Sequence, residues 1–373
     1  FLPRPVLCLA ALLGLACLLP TAARAAVIPS ISTNQLPLRV VAANLTGASQ
    51  AYEAPAIRIF QGLKPDVVAI QEFNYLNNTA ADLSNFVVTT FGTNYRHFRE
   101  TNTAYSIPNG IISRWPILAA GSWDDLEIGD RGFAWARLDL PGTQDLHVVS
   151  IHLKASTGAS NELRRANQAA QLKSLIQSNF PPGALVVVAG DCNIQGTNET
   201  ALATMKSYLS DSPIPTDAVS GGDPDTNNGR SERYDYVFPS PSLNAYRTGS
   251  LLGTTTYPNG LVFDTRVFTP TTLVSPVLTN DSSTHQHMAV VRDFRVPYLT
   301  TNFVTVPEPT LRLIQSNVLT WTGVTNLPYT VLVATNLPPV WTTAGVAISS
   351  TTNLFFTNPP SAARQRYHRV LVP

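Results

Sequence analysis

Val186-Val187-Val188-Ala189-Gly190-Asp191-Cys192-Asn193 constrains this chain more than any other stretch. An unbroken apolar run of this length fits a strand buried on both faces, and it gives way at Gly190 to polar residues. Asp191 and Asn193 then stand at a strand's carboxyl end. Catalytic groups collect at such ends, because the sheet fixes the backbone while the loop frees the side chains. Asp191 can carry a charge and take a proton from water, whereas Asn193 can only orient or donate. Gly, Asp and Asn also favour plain turns after strands, and the stretch alone does not choose between the two readings.

A chain of 373 residues has room for one large domain and one small one. Hydrophobic residues at 44% with only 13% charged exclude a disordered chain. A net charge of +1 gives no general basic footprint for nucleic acid, although a local groove can still be basic. Leu2 to Pro20 is apolar apart from Arg4, and Ala23-Arg24-Ala25 places small residues where a signal peptidase reads. This predicts a signal peptide over residues 1–25 and a secreted, periplasmic or surface-bound protein; a membrane anchor competes, but the span is barely long enough. Cys8 and Cys17 leave with that segment, so Cys192 remains alone and no internal disulfide forms. Cys192 lies between Asp191 and Asn193 and points away from both in extended geometry, which makes it a packing residue.

Strand-like runs recur along the chain, and polar residues end them. Leu38 to Ala43 ends at Asn44, Val67 to Ile70 ends in Gln71-Glu72, and Leu146 to Leu153 carries His152 near its end. Tyr234 to Phe238 buries Asp235 near its start, and His285-Gln286-His287 precedes the strand Met288 to Phe294. Helical spacing marks Ala54 to Leu63, stopped by Lys64-Pro65. It also marks Asn161 to Phe180, capped by Ser160 or Asn161, with Arg164, Arg165 and Lys173 on a solvated face. Glu199 to Leu209 reads as a further helix. Ala134 to Leu140 and Leu146 to Leu153 form a hairpin bent at Pro141-Gly142. Asp223, Asp225 and Asn227 alternate as in a calcium loop, but Gly229 is one place late and Tyr234 stands where Glu is needed.

Strands and helices in this order, with several doubly buried strands, predict an α/β protein with stacked sheets over residues 31–297. After Pro297 the chain becomes rich in Thr, Asn and Pro. Residues 298–309, including Val306-Pro307-Glu308-Pro309, read as a linker, and 310–373 as a small all-β module with its aromatics in the core.

Asn44, Glu72, His152, Asp191, Asn193, Asp235 and His287 nearly all flank apolar strands, a placement that gathers them at one edge of the sheets. Glu72, Asn44 and Asp235 offer the oxygen ligands that a hard divalent cation takes. Imidazoles and a carboxylate beside such an ion suit phosphate-ester hydrolysis, in which a base prepares water. Each residue alone is weak evidence, since a single strand-end His is more often structural.

Order and spacing strengthen the set. Residues 37 to about 296 resemble the endonuclease/exonuclease/phosphatase superfamily of deoxyribonuclease-like phosphoesterases. The resemblance rests on the Asn44 strand, Val67 to Glu72, Asn109 to Arg114, Ser150 to Leu153, Gly190 to Asn193, Arg233 to Val237 and His287 to Phe294. It implies a four-layer α/β/β/α sandwich followed here by a bacterial β-sandwich module. It implies Mg2+ or Mn2+ at Glu72 with Asn44 beside it, and Asp191 aligning or deprotonating the attacking water. Asn193 would partner the phosphate, His152 and His287 would stabilise phosphoryl charge, and Asp235 would support the cluster.

Gln286 departs from the family pattern, which has Asp before the last His, an Asp taken to orient that imidazole. Either catalysis is weakened or a neighbour such as His285 or Asp281 compensates. Ala289 also stands where the family has Pro. The reading is therefore a secreted metal-dependent phosphoesterase, nucleic-acid phosphodiesters ahead of phospholipids or small phosphate esters. The alternative is a weakened relative acting as a binding or surface-attachment protein.

Overall fold

Alternation along the strands builds the fold of the computed structural model, which describes residues 26–372 except 220, 307, 308, 316 and 364. The expected signal peptide lies outside these residues. Contacts divide the chain into a unit of residues 33–299 and a second unit holding residues 300–373 and the described residues before Thr33.

In the first sheet, β1 (Ala26–Ala43) runs parallel to β2 (Val67–Ile70), and β2 runs antiparallel to β4 (Gly110–Ser113), which pairs with β3 (Arg96–Arg99). On the other side of β1 lies β14 (Ala289–Val306), joined by the short β10 (Arg247–Thr248) and β13 (Leu261–Phe263). The second sheet has the order β5 (Ile117–Trp123), β6 (Phe133–Leu138), β7 (Leu146–His152), β8 (Leu185–Asp191) and β9 (Asp235–Pro239). Within it only β7 and β8 are parallel. A hairpin of β11 (Ser250–Leu252) and β12 (Thr255–Tyr257) stands apart.

Val40, Ala42, Val67 and Ala69 of the first sheet meet Val148, Val187, Ala189 and Val237 of the second in one core. Their neighbours Val41, Ala43, Val68 and Ile70 point the other way, into a core with α1 (Ala54–Leu63) and α2 (Ala80–Phe91). Val149, Ile151, Val186 and Val188 do the same toward α3 (Ala159–Asn179) and α4 (Thr200–Lys206). A two-residue period over strands covered on both faces thus yields three cores and four layers, an α/β/β/α sandwich. Each fully buried Val, Leu or Ile contributes roughly 1.5–3 kcal/mol, so β8, buried along its whole length, anchors the residues that follow it.

Some expectations change. Arg165 is buried rather than solvated: its fork grips Glu199 at 2.6 and 2.8 Å and its Nη1 donates to the carbonyls of Lys154 and Ser156. A planar guanidinium can enter the interior when every donor finds an oxygen. The N-cap of α3 is Gly158 and no side chain caps it. The calcium-like loop holds a guanidinium instead, with Arg230 bonded to Asp217 at 3.0 Å and to Asp264 at 2.9 Å. The expected linker is strand as far as Val306.

The second unit contains two three-stranded antiparallel sheets. One has the order β15 (Arg312–Gln315), β16 (Val318–Thr322) and β19 (Asn353–Thr357); the other has β18 (Thr342–Ala347), β17 (Tyr329–Ala334) and β20 (Tyr367–Leu371). Trp321 and Tyr329 are buried with Leu319, Val331 and Leu354, where the sequence put its aromatics. β18 was not legible because Thr342 to Ala347 is built of small residues with Val346 its one large apolar side chain. Among the described residues no helix is long and apolar enough to cross a membrane.

Candidate active site

Strand direction brings the polar strand-end residues together. Parallel β7 and β8 finish side by side at His152 and Asp191, and antiparallel β9 begins opposite them at Asp235. Asn44 follows the last residue of β1, Glu72 lies two places past β2, and His287 two places before β14. All seven predicted residues are buried.

Asp191 is the hub. Its Oδ2 accepts from Asn44 Nδ2 at 3.1 Å and faces His152 Nε2 at 3.2 Å and His287 Nε2 at 3.6 Å. Its Oδ1 accepts from the Asn193 backbone N–H at 2.9 Å. Asn193 turns its own amide to Leu153 O at 3.2 Å, so it holds the loop after β7. His287 Nδ1 meets Asp235 Oδ2 at 2.7 Å, and Thr226 Oγ1 donates to that same oxygen at 2.7 Å. Thr46 Oγ1 joins Glu72 to the set: it donates to Glu72 Oε2 at 2.5 Å and lies 3.3 Å from Asn44 Oδ1.

Backbone strain accompanies the site. Glu72 and Asn193 both adopt the left-handed conformation, with φ of 48° and 49°. Asn tolerates this; for Glu it costs of order 1 kcal/mol or more, so the surrounding structure must impose it. Tyr52 does so in part, donating its hydroxyl to the carbonyls of Ala43 and Gln71. Beneath the site Gln71 Nε2 donates to Ser150 Oγ at 2.8 Å, tying one sheet to the other. Gly190 makes room for this link, since a Cβ there would lie 2.6 Å from Gln71 Nε2.

The electrostatics separate the two imidazoles. Burial works against a charge on His287, but Asp235 and Asp191 outweigh it and raise its pKa to about 10. His152 is pushed well below the usual histidine value by burial, then by the charges of Arg131 and His287. Burial pushes the Asp191 carboxyl up to about 6 against the pull of the His287 charge. The site thus pairs an imidazolium and a neutral imidazole across one carboxylate poised near neutrality.

Two features escaped the sequence reading. Thr46 and Thr226, which bond Glu72 and Asp235, carry no motif of their own. Arg131 is buried and donates to the carbonyls of His152 at 2.7 Å and Leu153 at 2.8 Å, fixing the end of β7. The expected effect of Gln286 also changes, because the carboxylate that orients His287 is Asp235. Gln286 Nε2 donates instead to Gly47 O at 2.8 Å. Neither suggested substitute is engaged with the ring: Asp281 pairs with Arg58, and burial lowers the His285 pKa to about 4 with both its ring nitrogens lacking a partner.

Asp191, Asp235 and His287 bring ligand atoms within 4.8 Å of one another and could hold a metal ion. Oxygen donors for a hard cation are present in that cluster and beside it. Asp235 Oδ1 is buried without a hydrogen-bond partner, and Glu72 uses only Oε2 in its bond to Thr46. The His287 ring lies between the two carboxylates, 3.6 Å from Asp191 and 2.7 Å from Asp235.

The sequence model of the Endonuclease/Exonuclease/phosphatase family matches residues 50–257, a span that includes Glu72, His152, Asp191, Asn193 and Asp235. No curated protein matches in sequence. Among solved structures the chain is similar to an endonuclease/exonuclease/phosphatase from Beutenbergia cavernae, at 15% identity and TM-score 0.47, covering 90% of this chain and 98% of that one. It is also similar to the human Nocturnin catalytic domain with bound sulfate anion, at 16% identity and TM-score 0.47, covering 73% and 98%. An AP endonuclease from Archaeoglobus fulgidus matches at 12% identity and TM-score 0.46, covering 69% and 100%. The matched span and the four-layer sandwich agree: this chain belongs to the endonuclease/exonuclease/phosphatase family, whose members hydrolyse phosphoester bonds.

Proposed function

We propose that this protein is a divalent-metal-dependent phosphodiesterase with a nuclease-like substrate, exported by the segment 1–25. The observation that carries the reading is the contact of Asp191 with Asn44, His152 and His287 in one buried cluster. Asp191 aligns the attacking water and takes its proton, a task for which a pKa near 6 is matched to neutral solution. His287, held as an imidazolium by Asp235, sets a fixed positive charge against the phosphoryl oxygens as they gain charge. His152 stays neutral and hydrogen-bonds the same group, and Asn193 keeps the loop carbonyl of Leu153 in place. Glu72, with Asn44, would hold Mg2+ or Mn2+, which supplies charge neutralisation on the phosphate.

Asp235 beside His287 favours the enzyme over the binding-protein reading, since Gln286 no longer leaves that imidazole without a carboxylate. Hydrolysis of bis-p-nitrophenyl phosphate with Mg2+ or Mn2+, abolished by EDTA and by Asp191→Ala, is the expected result. No turnover with Mg2+, Mn2+ or Ca2+ would favour the binding protein instead. Plasmid DNA, sphingomyelin and inositol phosphates then separate the substrate classes, with DNA cleaved fastest.

A further inference from the structure

At the other end of the second sheet, where α3 stops at Asn179 and the chain turns into β8, lies a cavity of about 560 Å³. Its floor is a strip of rings. Trp123 and Trp135 stack with centroids 5.8 Å apart, Trp123 lies 5.6 Å from Phe180, and Phe180 lies 4.4 Å from His147. Gly121 makes room for Trp135: a Cβ there would come within 2.9 Å of the ring, so glycine lets that indole lie down on the sheet. Both tryptophans pack on the core beneath α3 and stay partly exposed, which leaves aromatic surface open to a ligand.

The rim decides the ligand class. Arg137 and Asp145 lie on it as an ion pair at 3.8 Å, and Gln144 and Asn179 also line the cavity, so cationic and anionic groups balance. A nucleic-acid strand would bring phosphates to a rim with no surplus positive charge. A quaternary ammonium ion wants rings on several sides, whereas these rings pack against one another, their planes 27° to 42° apart. Burial lowers the His147 pKa, and its buried Nδ1 has no hydrogen-bond partner. What matches is a neutral ligand with a flat apolar face and hydroxyls around its edge. We propose that this cavity binds the pyranose rings of a neutral glycan, the sugar face resting on Trp135 and Trp123 and the hydroxyls bonding Arg137, Asp145, Gln144 and Asn179.

The site is separate from the chemistry. The rim at Asp145 and His147 lies at the start of β7 and His152 at its end, while Trp135 and Trp123, level with Val149 and Ile151, stand on the face of the sheet packed toward α3. Glycan binding there retains the protein on a saccharide surface and does not depend on the activity proposed for Asp191.

Isothermal titration of the full chain with cellohexaose, maltohexaose, xylohexaose and chitohexaose tests this, with a decathymidylate strand and choline as the competing ligands. A saturable heat with at least one oligosaccharide is expected, weakened about tenfold by Trp135→Ala and unchanged in Asp191→Ala. Arg137→Ala, at a half-exposed rim residue, gives the same loss without risk to the fold. No saturable heat with any of the four sugars, binding of decathymidylate or choline alone, or sugar binding that survives both cavity variants overturns the proposal.

Discussion

Asp235 Oδ2 lies 2.7 Å from Nδ1 of His287, on the opposite side of the ring from Asp191, so the imidazole is held between two buried carboxylates. Asn at position 235 would keep the Thr226 bond and lose the charge that keeps the ring protonated. Asp235→Asn is expected to lower kcat by about 10²-fold with little change in KM. It should also move the alkaline limb of the pH profile to lower pH, and a limb that stays in place rejects the role given to Asp235.

The pH profile follows from the same pair. Asp191 must be ionised to take a proton, so the rate falls as pH drops through about 6. His287 must be protonated, so the rate falls again as pH rises through about 10. The two limbs belong to the linked pair rather than to either residue. A cation beside Asp191 shifts the acid limb downward, so raising the metal concentration should broaden the plateau on its acid side. Profiles of kcat/KM at two Mg2+ concentrations measure this, and an acid limb indifferent to metal counts against a cation at Glu72.

Gln286→Asp is expected to leave kcat/KM unchanged, since the Gln286 side chain is bonded to Gly47 O and the carboxylate for His287 is already in place. A clear gain in rate would show that a carboxylate at 286 does something Asp235 does not.

Gly190→Ala should be severe. Its Cβ would lie 2.1 Å from Ile151 O and 2.6 Å from Gln71 Nε2, at a φ of 141° that L residues avoid. A loss of about 3 kcal/mol or more is expected in denaturant unfolding. Gln71→Ala in the same background removes only one of the two clashes, so it should recover part of that loss and not all of it.

Much of the site was legible in the sequence because the rule behind it is local. Apolar runs such as Val186 to Ala189 must be buried, and polar residues that flank them must come out at a sheet edge. That places Asn44, Glu72, His152, Asp191 and Asp235 one by one without any knowledge of their neighbours. The helix α1 was legible for the same reason, since Lys64-Pro65 stops it through backbone sterics alone.

What the tertiary structure alone decided is which of these groups touch. Contacts between residues far apart in the chain depend on strand order and register, which no local pattern encodes. Asp235 became the partner of His287 because β9 pairs with β8 and brings its first residue opposite Asp191. Arg165 became a buried residue because Glu199 and two carbonyls surround it, although its helical position read as surface. Thr46 and Thr226 entered the site in the same way. A hydroxyl is unremarkable in sequence and acquires a role only from the carboxylate that folding sets beside it.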